Sequence, residues 1–166
     1  MNLRKRKKFS RRLFEAILSG DTVGVKTALR AGADPERGND YGTTPLYLAS
    51  VNGQAATARL LLAAGARPDT ESSGIGSEGT PLCAAACWGH TEAVRVLLAH
   101  GADPDLREDH GTGRSPLDWA NDGPHPETAA LLVAARAHDI VANRHTSTAP
   151  TTNSNGIANQ NDPCIH

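Results

Sequence analysis

Cys83, Cys87 and His90 stand at i, i+4 and i+7, a spacing that puts two soft ligands and an imidazole on one side of a helix. Such a set could begin a zinc site, which needs a second ligand pair to close its tetrahedron. No second pair of fitting spacing is visible, and Cys164 stands in a Thr/Asn-rich terminus. Small reduced thiols lining a helix are the plainer reading, with no metal expected. His90, His100, His110 and His125 are accompanied by no nucleophile or acid–base partner, so no catalytic residue is assigned. Gly74-Ile75-Gly76-Ser77-Glu78-Gly79 matches the dinucleotide pattern G-x-G-x-x-G, but that chemistry requires a buried strand before it. Arg67-Pro68-Asp69-Thr70-Glu71-Ser72-Ser73 is no such strand, so no cofactor is expected.

The first 12 residues hold seven basic side chains (Arg4, Lys5, Arg6, Lys7, Lys8, Arg11, Arg12) and no acid, while the chain as a whole carries −1. A basic arm on an acidic body could meet phosphates of nucleic acid or an anionic surface, although a run of charge is more often a solvated face. Lys26 is the single lysine beyond it, the other bases there being arginines, a weak compositional pointer to a bacterial source. Three cysteines form no disulfide framework, no apolar run is long enough to span a membrane, and the basic start lacks a secretory pattern. A cytoplasmic monomer is the expectation.

The elements that hold these residues repeat. Thr44-Pro45-Leu46, Thr80-Pro81-Leu82 and Ser115-Pro116-Leu117 begin 36 and 35 residues apart. Each offers a hydroxyl N-cap followed by proline at the first helical position. Gly32-Ala33-Asp34-Pro35, Gly65-Ala66-Arg67-Pro68 and Gly101-Ala102-Asp103-Pro104 recur 33 and 36 residues apart, where a second helix should end on a left-handed glycine. Between the two motifs lie helices of seven to nine residues, too short to stand alone. Their stripes (Val94, Leu97, Leu98; Leu60, Leu61, Leu62; Leu131, Leu132, Val133) must be covered by neighbours. In the first unit Leu13, Phe14, Ile17 and Leu18 share one face.

Two motifs recurring in phase at this period resemble the ankyrin repeat. The resemblance implies an all-α solenoid of stacked helix–turn–helix units with hairpin-like finger loops. It divides the chain into a basic arm (1–10), four repeats over 11–137 (about 11–40, 41–76, 77–111 and 112–137) and a disordered tail (138–166). The first and last repeats look like caps. The connection before Thr80 is longer than the one before Thr44, so a longer, mobile finger is expected at Glu71–Glu78.

The resemblance also implies a role, that of a non-enzymatic module binding another, unidentified protein through its concave face, as adaptor, inhibitor or neutralising partner. By phase, the groove and finger positions are Leu18 and Ser19; Asp40, Tyr41, Thr43, Val51 and Asn52; Gly79, Cys87 and Trp88; Thr112, Arg114 and Asp122. Trp88, at the end of its helix and off the leucine stripe, is the expected anchor, with packing near Asn52 as the competing reading. Trp119, mid-helix, is expected to be partly packed.

Overall fold

The computed structural model describes residues 3–74 and 77–146, with side chains for 7–74, 79–109 and 111–138. Among the described residues the chain forms nine helices and one short hairpin. Four helix pairs carry the architecture: α1 (Leu3–Leu18) with α2 (Thr22–Arg30), α3 (Pro45–Val51) with α4 (Ala55–Ala63), α5 (Pro81–Cys87) with α6 (Thr91–Ala99), and α8 (Pro116–Asp122) with α9 (Pro126–Thr146). Strands β1 (Ser72–Gly74) and β2 (Ser77–Gly79) pair antiparallel between the second and third units, and a helical turn, α7 (Glu108–Gly111), stands between the third and fourth. First helices pack on first helices in the order α1, α3, α5, α8, and second helices follow α2, α4, α6, α9. The result is two parallel rows, the all-α stack that the sequence motifs require.

The caps form as their residue types dictate. Thr44, Thr80 and Ser115 take extended backbone, and their side-chain oxygens accept from Tyr47 N at 3.3 Å, Cys83 N at 3.1 Å and Asp118 N at 3.2 Å. Asp118 answers by accepting from Ser115 N at 2.9 Å, a reciprocal capping box. The second helices close on Gly32, Gly65 and Gly101, with φ of +94°, +100° and +84°. There the glycine N–H and the next alanine N–H return to carbonyls of the last turn, as Gly65 N does to Leu62 O and Ala66 N to Leu61 O, both at 3.0 Å.

The leucines then make one continuous core. Leu13, Ile17, Leu46, Leu61, Leu82, Leu97 and Leu132 are all fully buried, so every unit contributes to it. Each such side chain contributes roughly 1.5–3 kcal/mol by leaving water. Because the burial lies between layers, no pair is stable without its neighbours.

Several expectations are corrected at the ends of the stack. The first helix begins at Leu3, not Arg11, so residues 3–10 are helical; lysine and arginine are good helix formers, and Phe9 packs against the core. The last helix runs on to Thr146, past the expected end at 137, because nothing between Glu127 and Thr146 is glycine or proline. Residues 147–166, the rest of the expected tail, lie outside the described residues, as do 75–76 at the tip of the expected long finger. Val133 and Leu18 are 53% and 68% exposed, so neither belongs to the buried stripe in which it was expected. The third connection is the helical turn α7 rather than a hairpin. It is closed by Gly113 N donating to Glu108 O at 2.8 Å and Glu108 N to Arg114 O at 3.1 Å.

Candidate functional site

The ends of the first helices and the connections beside them form one face. Asn52 and Trp88 cap α3 and α5 in matching places of successive layers, and Asp122 ends α8 one position earlier, in the place that Val51 and Cys87 hold on their helices. Asn52 and Asp122 are exposed and Trp88 is 62% exposed, its ring left open to solvent rather than packed away against Asn52. Tyr41, on the first connection, is 76% exposed, and Asp40 beside it is exposed too. Asn39 shapes that connection, its side-chain oxygen accepting from Tyr41 N and Thr43 N, both at 3.0 Å. The same turn directs Thr43 inward to 6% exposure, so Thr43 is a packing residue and offers no side chain to a partner. Gly79 is likewise buried. Ser19 at the first layer is exposed, its hydroxyl donating to Glu15 O at 3.0 Å.

Val51 and Cys87 sit half-buried and contribute mainly through their carbonyls. His90 Nε2 donates to Val51 O at 2.9 Å, and His125 Nε2 to Cys87 O at 3.1 Å. Gln54 does the same one layer earlier, its Nε2 donating to Ile17 O at 2.7 Å. The residue opening α4, α6 and α9 therefore grips the first helix of the preceding layer. The histidines thus gain structural employment, with His100 Nδ1 satisfied locally by Val96 O at 2.8 Å. The side chain of His110 lies outside the described residues.

A family model of ankyrin repeats in three copies matches residues 69–144, and a single-repeat ankyrin model matches residues 41–72. The chain belongs to the ankyrin-repeat family. An ankyrin repeat protein of fowlpox virus (strain NVSL) is 45% identical over 64 residues, 37% of this chain and 15% of the viral protein. Ankyrin repeat domain-containing protein 39 of Homo sapiens is 36% identical over 64 residues, 39% of this chain and 35% of the human protein. The chain therefore covers well under two thirds of either relative's length.

The fourth ankyrin repeat holds its face differently from the third. Trp119 Nε1 donates to Glu108 Oε2 at 2.7 Å, the Arg114 guanidinium lies 4.7 Å over the indole, and Arg114 pairs with Asp122. Thr112 closes α7, its hydroxyl donating to Asp109 O at 2.8 Å. Glu108 also fills the space above Gly79, whose φ of +116° and missing Cβ make room for the carboxylate. Burial pushes the Glu108 carboxyl above its usual range; hydrogen bonds from Trp119 and Cys83 pull the other way, and repulsion from Asp109 and Glu71 adds to the rise. The sequence did not mark Glu108 as a site residue, because it sits in a connection whose conformation depends on Arg107 and Gly113. The nearest signal was the Trp119 that needed a partner for its N–H.

Burial also pushes the Cys83 thiol well up, with the Glu108 charge adding to the effect, and Cys87 shifts the same way for the same first cause. That is the opposite of the electropositive setting a reactive or metal-binding thiolate needs. Among the described residues, no three or more His, Cys, Asp or Glu side chains gather to hold a metal ion. No helix among them is long and apolar enough to cross a membrane.

Proposed function

We infer that this chain, built of ankyrin repeats, serves as a protein–protein interaction module. We propose that it is non-enzymatic and takes its partner on the face made by the first-helix ends and the connections, acting as an adaptor, inhibitor or neutralising partner. The observation that carries the reading is Trp88. A tryptophan 62% exposed on a well-packed stack costs apolar surface in water and does nothing for the core, yet tryptophan is the side chain that most often anchors an interface. Tyr41 supplies a second exposed ring. Asp40, Asn52 and the Arg114–Asp122 pair add carboxylate, amide and guanidinium groups to the same face, a mixture suited to a protein surface, and Cys87 adds only its half-buried edge. Val51 and Thr112 support this rim through backbone and turn geometry, while the buried Thr43 drops out.

The test is comparative capture from a lysate by the parent and by the double variant Trp88→Ala, Tyr41→Ala, with circular dichroism showing both folded. A partner recovered by the parent should be lost from the variant. Equal recovery would move the binding site off this face.

A further inference from the structure

At the N-terminal end, away from Trp88, the described basic side chains Lys7, Lys8, Arg11 and Arg12 stand on a helix, α1, and not on a loose arm. Its apolar residues, Leu13, Phe14 and Ile17, are buried against the stack, and the exposed Lys7, Lys8, Arg11 and Arg12 look outward. Between α1 and the first connection lies a cleft of about 330 Å³, lined by Lys7, Ser10, Arg11, Phe14, Arg37 and Asp40, with the Gly38–Asn39 backbone between the last two. Three of these are cations and one, Asp40, is an anion. Ser10 is 8% exposed, and its hydroxyl has no hydrogen-bond partner among the described residues. A buried hydroxyl left unpaired beside three cations is a donor without an acceptor, and such a group calls for explanation. Arg11 also pairs with Glu15 at 2.8 Å, but both side chains are mostly exposed, so that bond exchanges readily for a stronger anion.

We propose that this cleft seats a backbone phosphate of a nucleic-acid strand, with Lys7, Arg11 and Arg37 supplying charge and the Ser10 hydroxyl a hydrogen bond. Lys8 and Arg12 continue the cationic row along the same helix, where a second cleft is lined by Lys7, Lys8, Arg11, Arg12 and Glu15. Successive turns hold these cations roughly 6 Å apart. A row of this kind suits a ligand with many charges at short intervals, and a duplex carries one about every 1.7 Å of its axis. An anionic bilayer fits less well, because surface helices bind membranes by sinking an apolar face, and the apolar face of α1 is already spent on the core. The contact reads phosphate and no base edge, so it is indifferent to sequence. Its phosphate ligands are not those of the groove reading, although Asp40 borders both, and Trp88 takes no part in it.

The experiment follows the fluorescence anisotropy of a labelled duplex against the full-length protein, from 50 to 200 mM salt. With about four phosphates neutralised, affinity should fall on the order of a hundredfold over that range. The triple variant Lys7→Ala, Arg11→Ala, Arg37→Ala should abolish measurable binding at the higher salt. A second variant, Lys8→Ala with Arg12→Ala, touches only exposed side chains, and should weaken binding and flatten the salt dependence by about two phosphates' worth. Ser10→Ala should give a smaller loss, and Trp88→Ala none. Binding that ignores salt, or that survives both cation variants, would overturn the proposal. So would stronger binding of the parent to phosphatidylserine-containing vesicles than to the duplex.

Discussion

Repeats three and four each place a tryptophan on the row of first helices, and they treat it in opposite ways. Trp88 caps α5 with its ring in solvent, whereas Trp119 lies inside α8, hydrogen-bonded by Glu108, covered by Arg114 and packed against the core. The helix beneath Trp88 is almost wholly buried, from Pro81 through Ala86, and needs nothing from the ring. The helix carrying Trp119 has only Pro116 and Ala120 buried, so its layer recruits the indole and a carboxylate from α7 to complete the packing. A layer with enough aliphatic burial can leave an aromatic side chain for another molecule. A terminal layer with too little keeps the side chain for itself.

The largest expected effect comes from removing aliphatic burial in the third layer. Leu97→Ala should cost about 2–5 kcal/mol and lower the thermal midpoint of the whole stack in one transition, since its cavity lies between layers. An unchanged midpoint would show that the third layer does not rest on that side chain. Next is the junction between the two layers, where Gly79→Ala forces a Cβ at φ of +116° into the Glu108 carboxylate. Denaturant unfolding should show a loss of more than about 1 kcal/mol, the usual scale for a strained non-glycine backbone. A neutral result would mean Glu108 swings away freely, and the fourth layer's hold on Trp119 is loose.

Smaller still is the cap: Thr80→Ala leaves Cys83 N without its acceptor and should cost about 1 kcal/mol by the same measurement.

The smallest effect is in pH dependence, and here two carboxylates of the fourth layer act in opposite directions. Glu108 has its folded-state affinity for protons raised by burial, so its contribution to stability grows as pH falls from above that raised value toward the ordinary glutamate range. Asp118 is held below its usual range by the hydrogen bonds from Ser115, so its contribution is present above the ordinary aspartate range and fades as pH falls through its lowered value. Glu108→Gln keeps an acceptor for the Trp119 N–H while removing the buried charge. Thermal melts of that variant should show undiminished stability at neutral pH and a smaller stabilising response to mild acid than the parent's, the remainder coming from groups such as Asp69 that burial raises in the same way. A variant that melted earlier at neutral pH would show that Trp119 requires the ionised carboxylate.

The inner repeats were legible in the sequence because their signals are local. A hydroxyl, a proline and a leucine in a row describe a helix start wherever they occur, and Gly32, Gly65 and Gly101 describe helix ends in the same way. The ends were misjudged where the decision rests with what is missing or distant. Residues 3–10 looked like an arm on charge alone, although Phe9 had apolar surface to pack against the stack. The 137 boundary followed the repeat period, while the helix obeys only the lack of a stop signal before Thr146. The exposure of Trp88 and Tyr41 was legible by phase, whereas Asp122 is open although Val51 and Cys87 at the same phase are half-buried. Thr43 fell outside that reasoning because an Asx turn at Asn39, not the phase, sets its direction. Glu108 was hidden for a similar reason, lying in a turn whose Asp109 adopts φ of +52°.

The measurement closest to the central claim is iodide quenching of a Trp119→Phe variant, in which Trp88 is the only tryptophan left to report. Free in solution, its fluorescence should be strongly quenched, as an indole 62% exposed must be, and the quenching should fall sharply when a partner captured by the parent protein is added. Quenching that stays the same in the complex would show that the partner sits elsewhere and that Trp88 is exposed for no purpose of recognition.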